Sequence, residues 1–275
     1  MNAPTKPRVP SQRRQQLVVW LAQNQFASIA DLAQHFSVSE MTVRRDLAML
    51  AEKGLVERVT GGGEIARSSP EPPFTVKRDL YAMEKAQIAQ EALKWIQSDM
   101  TIALSAGTTT WKIAQQIRGF SNLTFITNST NVALALQQGG WERIILSGGN
   151  FRTPSDALVG PIAERTVREL YSDVLFLGVH AMDWEAGFST PNVDEAAVDR
   201  GLIQNAKKVV VVLDHSKWGQ RSLCKIAPIS AANAIITDDR VRPEDLAQAR
   251  AFGLEVCPVA VSPASLASLP TSYDD

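Results

Sequence analysis

Two groups of residues in this chain have the types and spacing to do chemistry. The first is the stretch SEMTVRRDLAMLAEK, residues 39–53. Ser39 can cap a helix by accepting a bond from a free N–H of the first turn. Val43, Leu47 and Leu50 recur at i, i+4 and i+7 as one apolar stripe. Thr42, Arg44 and Arg45 lie off that stripe. A helix that buries one face and offers a hydroxyl and guanidiniums on another suits a DNA major groove. There arginine bonds O6 and N7 of guanine together, and it also neutralises phosphate.

The second group stands at the ends of short apolar runs. Ser105-Ala-Gly107-Thr108-Thr109-Thr110 follows Ile102–Leu104, and Thr127-Asn128-Ser129 follows Leu123–Ile126. Ser147-Gly148-Gly149 follows Ile144–Leu146, and Asp214-His-Ser-Lys217 follows Val209–Leu213. Glycine lets backbone approach a ligand, threonines add hydroxyls, and a helix N-terminus favours an anion. The first of these loops reads as a phosphate cradle, without a P-loop lysine or a GxGxxG. Lys217 can neutralise a phosphate, while Asn128, Asp183 and Asp214 can sort sugar hydroxyls. Each motif alone is also an ordinary turn or cap, and Asp214 with Lys217 is also a surface ion pair. Their convergence at one sheet edge favours a small polyol phosphate.

These groups need elements to hold them. Ser28-Ile-Ala-Asp31 is a capping-box-like start of a short helix through His35, with Ile29, Leu32 and Phe36 apolar. Ser37-Val38 is a turn into the Arg-bearing helix, and Gly54 can stop that helix. Leu55–Val59 alternates like a strand, Thr60–Gly63 reads as a hairpin turn, and Glu64-Ile65 begins the return. The order is helix, turn, helix, wing. Arg58, Gly61 and Gly62 would bring the wing to the DNA backbone or minor groove. Ahead of it, residues 11–24 form a helix with Leu17, Val18 and Leu21 facing inward and Arg13 and Arg14 available to phosphates. A helical bundle with solvated arginines is the bland alternative, but the whole succession in order favours a DNA reader.

ARSSPEPP, residues 66–73, is a boundary that neither a wing nor a buried helix can cross. Residues 84–97 read as an amphipathic helix. Beyond it continuous apolar runs, with others at Val174–Leu177 and Ala234–Ile236, alternate with helical stretches at 109–118, 131–138, 162–170 and 194–205. That alternation means an open, mainly parallel α/β sheet. The expected domains are a winged helix-turn-helix at 1–65, a linker at 66–83 and an α/β sensor at 84–260. Residues 1–10 and the last fifteen or so residues are expected to be weakly ordered tails.

Composition narrows the classes. The net charge of −1 excludes a protein that coats nucleic acid throughout. Residues 1–63 hold eight Lys or Arg against five Asp or Glu, a modestly basic head on an acidic body. Two cysteines, Cys224 and Cys257, are too few for a disulfide scaffold and read as reduced thiols. The three histidines lack metal-ligand spacing with them, so no metal or cofactor is expected. No run is apolar enough to span a bilayer, and the first residues lack a secretory h-region, so the expected location is the cytoplasm.

Residues 28–63 resemble the N-terminal domain of DeoR-type bacterial transcriptional repressors. The shared pattern is Leu32-Ala33, Val38-Ser39, Thr42-Val-Arg-Arg-Asp-Leu47, Gly54-Leu55 and Gly61-Gly62. The resemblance continues with Gly107-Thr108-Thr109, Thr127-Asn128, Gly148-Gly149 and Asp214-His-Ser-Lys217 and covers most of residues 11–240. It implies a sensor related to ribose-5-phosphate isomerase that binds a phosphorylated sugar or its catabolite and changes DNA affinity. It implies repression of a carbohydrate operon by default, with the ligand as inducer. A further family segment is Gly187-Phe-Ser189 followed by a Glu-x-x-x-Lys helix, which adds Glu195 to the site. Asp199 stands here where the family has lysine.

The rival class is an active sugar-phosphate isomerase, which needs a carboxylate base and a group that stabilises an enediolate. Isomerases of that fold show Asp-Gly-Ala-Asp and then Lys-Gly-Gly. The matching stretch here is His180-Ala-Met-Asp183, and no Lys-Gly-Gly follows. A regulator is the better reading, with operator DNA and a sugar phosphate as partners. Useful affinity needs two readers, so a dimer or tetramer is expected. Arg44→Ala or Arg45→Ala is expected to weaken operator binding by about 1–3 kcal/mol if that arginine reads a base. Unchanged affinity of both variants in titrations at matched salt would take this helix out of the groove.

Overall fold

The structure is a computed structural model that describes residues 10–24, 26–66 and 71–261. The expectations for the two tails and the middle of the 66–73 stretch fall largely outside those residues. The chain divides into two compact units after Leu80.

The first unit runs α1 (Pro10–Asn24), β1 (Phe26–Ser28), α2 (Ile29–Phe36), α3 (Glu40–Glu52), β2 (Val56–Val59), β3 (Gly62–Ile65) and α4 (Phe74–Asp79). Ser28 caps α2 by accepting from Asp31 N–H. Ser37 enters the left-handed region at φ 53, which ends α2 and turns the chain. Ser39 then caps α3 by accepting from Thr42 N–H. At the far end Gly54, at φ 68, lets Leu55 N–H close on Leu50 O at 3.0 Å. Leu17 and Leu21 of α1, Leu32 and Phe36 of α2, and Val43, Leu47 and Leu50 of α3 fill one core with Val56 and Val76. Burying each such side chain contributes about 1.5–3 kcal/mol.

Three expectations change here. The wing turn is tighter than Thr60–Gly63: Val59 pairs with Gly62, so only Thr60 and Gly61 turn. The sheet has a third strand, in order β1-β3-β2, and Gly62 is buried against it. A Cβ on Gly62 would fall 2.0 Å from Ala27 O, so this glycine has a packing reason. The linker is also shorter than 66–83. Residues 74–79 form α4, which belongs to the first unit, and Gln15 Nε2 donates to Asp79 at 2.7 Å and to Thr75 O at 2.6 Å. Finally, Arg13 and Arg14 are not free for phosphates. Arg13 Nε lies 2.6 Å and Arg14 3.6 Å from the carboxylate of buried Asp46. A carboxylate inside the α1–α3 contact needs those cations more than DNA does.

The second unit runs α5 (Ala82–Ala92), β4 (Thr101–Leu104), α6 (Thr108–Gln116), β5 (Thr124–Thr127), α7 (Thr130–Gln138) and β6 (Ile144–Leu146). Then come β7 (Asn150–Arg152), β8 (Ala157–Val159), α8 (Pro161–Arg168), β9 (Val174–Gly178), β10 (Ala181–Asp183), β11 (Gly187–Thr190) and α9 (Val193–Gln204). It closes with β12 (Val209–Val212), β13 (Cys224–Ala227), β14 (Ala234–Asp238), α10 (Pro243–Ala251) and β15 (Glu255–Val259). α5 is shorter than the 84–97 expectation, and a 3-10 turn, Leu93–Trp95, continues it.

Seven strands form one sheet in the order β15-β14-β12-β9-β4-β5-β6, and every neighbouring pair is parallel. Alternate residues of the central strands enter different cores. Val174 and Phe176 pack with Ile88, Ile113 and Leu136, while Leu175 and Leu177 pack with Ala163, Val198 and Ala249. Burial on both faces is why these strands read as unbroken apolar runs. Sequence periodicity did not expose the β7–β8 hairpin or the small β10-β11-β13 sheet, whose strands are three or four residues long.

Removing the carboxylate under α1 tests this account of the first unit. Asp46→Ala is expected to lower the opening free energy of α3 amides by about 1.5–3 kcal/mol, read by hydrogen exchange in the full chain. Unaltered exchange would show that the Arg13 pair contributes nothing.

Candidate functional site

On α3, off the apolar stripe, Asp46 turns inward while Met41, Arg44, Arg45 and Met49 face solvent. Ser39, Arg44 and Arg45 are exposed and Thr42 is half-buried, with its hydroxyl 2.9 Å from that of Ser39. Arg44 lies 3.6 Å from Glu40, an exposed i,i+4 pair worth little. Met41 is 66 % exposed on the same turn. Sequence reasoning passed it over, because a methionine in a helix reads as core. Its apolar surface beside two arginines suits contact with a thymine methyl. In the wing, Arg58, Thr60 and Gly61 are exposed, and Gly61 O accepts from Ile29 N–H at 2.9 Å, which ties the turn to the start of α2.

The second unit places its polar loops at the carboxyl ends of the parallel strands. From β4 the chain builds outward through β5 to β6, then returns to the other side of β4 as β9. The connections therefore diverge between β4 and β9, and a crevice opens at their carboxyl ends. Ser105 and Gly178 meet there: Gly178 N–H donates to Ser105 Oγ at 2.9 Å. Gly107 is the N-cap of α6 and has no side chain to bond the first N–H groups of that helix. Ser129 and Asn192 do bond them in α7 and α9. The open N–H groups of α6 thus lie at the switch point, with the positive end of the helix dipole.

The expected ligand residues divide into two sets. Thr108 and Thr109 lie in the first turn of α6, and Lys217 is half-buried after β12 with no ion pair among the described residues. The surface pair with Asp214 is not formed, because Asp214 accepts from Ser216 N–H at 3.1 Å and from the Ser216 hydroxyl. Ser105 and Thr110 are fully buried, and the Thr110 hydroxyl donates to Ser105 O at 2.7 Å, so they shape the loop. Asn128 was expected to sort hydroxyls. Its Oδ1 instead accepts from Ala106 N–H at 2.9 Å and its amide reaches Leu158 O at 3.4 Å, bridging two loops. Asp183 was expected to do the same. It accepts from the N–H groups of Glu185 and Ala186 and pairs with Arg221 at 2.8 Å. The Arg221 bond, then the Ala186 N–H, hold its carboxyl below the usual range. Gly148 and Gly149 have φ of 68 and 112, and a Cβ on Gly149 would fall 2.5 Å from Val159 O.

Glu195 is in the first turn of α9, where Thr190 Oγ1 donates to it at 2.8 Å and Arg152 lies 3.0 Å away. Arg152 was missed, because it sits on a three-residue strand that no periodicity marks. His215 was missed as well. Its Nδ1 is 2.9 Å from Asp238, and that bond raises the imidazole pKa. Tyr81 stands edge-on to it at 4.9 Å, and its own pKa is raised first by burial and then by Asp214. Among the described residues no group of three or more His, Cys, Asp or Glu could hold a metal. None of their helices is long and apolar enough to cross a membrane.

A winged helix-turn-helix joined to a parallel α/β unit with a polar switch-point crevice defines a ligand-responsive transcriptional regulator. Comparison with known proteins gives the family. Residues 13–69 match the DeoR-like helix-turn-helix domain and residues 81–239 match the DeoR C terminal sensor domain. A putative aga operon transcriptional repressor of Escherichia coli O157:H7 is 36 % identical over 249 residues, 90 % of this chain and 93 % of that one. The glycerol-3-phosphate regulon repressor of Escherichia coli K12 is 32 % identical over 83 % of this chain and 90 % of its own. The transcriptional repressor AccR of Agrobacterium fabrum is 33 % identical over 84 % and 90 %. A solved D-ribose-5-phosphate isomerase aligns with a TM-score of 0.38 and 20 % identity over 50 % of this chain and 54 % of that one. The chain belongs to the DeoR family of transcriptional repressors. It is a regulator rather than an enzyme.

Asp199, one turn after Glu195, is buried and has no hydrogen-bond or ion-pair partner among the described residues. Burial, and then the charge of Glu195, push its carboxyl well above the usual range. Below about pH 4 the acid is protonated both folded and unfolded, and the site costs nothing. As pH rises the unfolded chain ionises first, so stability is lost up to the folded pKa. Asp199→Asn lacks that loss. Its melting temperature is expected to exceed that of the wild type at pH 8, with the gap closing towards pH 4. A gap that is constant with pH would show that Asp199 is ionised in the fold.

Proposed function

We propose that this chain represses a carbohydrate-catabolism operon in the cytoplasm and leaves its operator when a phosphorylated sugar or sugar derivative enters the sensor. The observation that carries this is the uncapped N-terminus of α6 at the β4–β9 switch point. A phosphate dianion needs several donors in one place, and that helix end offers N–H groups, the Thr108 and Thr109 hydroxyls and a favourable dipole. Lys217 adds a compact cation from the end of β12. The name of one relative, a glycerol-3-phosphate regulon repressor, points to the same ligand class.

DNA is read by α3 through Ser39, Thr42, Arg44 and Arg45, with Arg58 and Gly61 of the wing on the backbone or minor groove. Two copies at least act together, because one recognition helix spans too few base pairs for a specific site. Effector binding acts by favouring the arrangement of the oligomer that holds DNA less well. A ligand of equal affinity for both arrangements would shift nothing.

The test is a DNA-binding titration with glucose 6-phosphate, galactose 6-phosphate and glycerol 3-phosphate, after a thermal-shift screen for the one that binds. Lys217→Met is expected to raise the concentration needed for release by about 10-fold or more, and Thr109→Val by less. If the dephosphorylated sugar released DNA as well as its phosphate did, the phosphate seat on α6 would be wrong.

A further inference from the structure

Lys217 does not stand alone at the end of β12. It closes a 3-10 turn, His215–Lys217, that Asp214 caps by accepting from Ser216 N–H. The turn opens with His215, and a buried carboxylate from the end of β14 grips that residue twice. The His215 N–H donates to one oxygen of Asp238 at 2.7 Å, and its Nδ1 lies 2.9 Å from the other. Backbone and ring of His215 are thereby fixed together. The ring meets Tyr81 edge-on, with centroids 4.9 Å apart.

Tyr81 is the first residue of the sensor unit, since the first unit ends at Leu80. It sits at φ 52 and ψ 41, in the left-handed region. A bulky aromatic residue enters that region only where its surroundings hold it there. Two ties hold it. Its carbonyl accepts from Lys85 N–H at 3.0 Å, which starts α5. Glu84, in the first turn of α5, pairs with Arg240 at 2.9 Å, and Arg240 N–H donates to Asp238 at 3.2 Å. One buried carboxylate, Asp238, thus serves both the turn that carries Lys217 and the loop that anchors the start of α5.

We infer that the His215–Tyr81 ring contact is the element that couples the effector site to the junction with the DNA reader. The inference rests on the reading of the crevice as a phosphate site with Lys217 in it. Tyr81 has two discrete backbone states, the left-handed one that His215 supports and the ordinary one at negative φ. Coupling between sites needs such a two-state element, biased by both. A phosphate that draws Lys217 towards α6 shifts the turn, withdraws the His215 ring and frees Tyr81 to relax. The relaxed backbone re-aims Leu80 and the chain that leads to the reader. Tyr81 and His215 are positioning residues, and neither touches phosphate or DNA.

The test measures operator affinity of the full chain with and without the phosphate that releases the wild type, taken from glucose 6-phosphate, galactose 6-phosphate and glycerol 3-phosphate. Wild-type affinity is expected to fall about 10-fold or more at saturation. In Tyr81→Ala and in His215→Asn, each checked for cooperative melting, the fall is expected to shrink to about 2-fold or less. His215→Asn keeps a donor for Asp238 and lacks the ring. Phosphate affinity without DNA, by isothermal titration, and operator affinity without phosphate are expected to stay at wild-type values. Tyr81→Phe keeps the ring and is expected to keep the full response. The double variant is expected to respond no less than either single one, because the two rings act through each other. A full response in Tyr81→Ala or His215→Asn overturns the inference, as does loss of phosphate binding in either or loss of response in Tyr81→Phe. If none of the three phosphates releases the wild type, the phosphate reading of the crevice falls and this inference with it.

Discussion

The constraint on which the sensor unit depends is the position of β4 in its sheet. It is hydrogen-bonded in parallel register on both sides, Ile102 facing Phe125 across one ladder and Val174 across the other. A strand so placed has no free edge, and both its faces are buried. Its only outlet for chemistry is the carboxyl end, where crossovers to β5 and from β9 leave in opposite directions. The Ser105–Gly178 bond, the bare Gly107 cap and the tie from Ala106 to Asn128 all exist at that one place. The crevice is a consequence of winding order, and the side chains around it refine a gap that topology has already made.

Much of this was legible in the sequence, for physical reasons that can be named. The reader was legible because its signals are local: Ser28 and Ser39 at caps, Gly54 at a stop, and an apolar stripe at Val43, Leu47 and Leu50. The parallel sheet was legible because strands buried on both faces leave no polar residue to interrupt them. What periodicity could not carry was long-range pairing. Nothing near Arg13 announces that its partner lies thirty-three residues on at Asp46. Nothing near Asn128 announces that both ends of its amide serve other loops.

The same limit explains which site residues changed character. Polar residues at strand ends were all read as facing a ligand, yet a buried loop must first satisfy its own backbone. Asn128, Asp183 and the Thr110 hydroxyl do that work, and they make the loops rigid enough to present α6 and Lys217. Lys217 is left over after that accounting, a cation beside the carboxyl ends of the strands with no ion pair among the described residues.

The short junction between the units has a consequence for insertions. α4 ends at Asp79 and α5 begins at Ala82, so two residues, Leu80 and Tyr81, join the reader to the sensor. Chain that short reaches about 7 Å at full extension. Tyr81, held at φ 52 with its ring against His215, is not free to extend. Each residue inserted into such a junction lengthens the path of the chain between reader and sensor by about 3.3–3.6 Å. An insertion there is therefore expected to disturb the response of DNA binding to effector more than one in a surface loop of either unit.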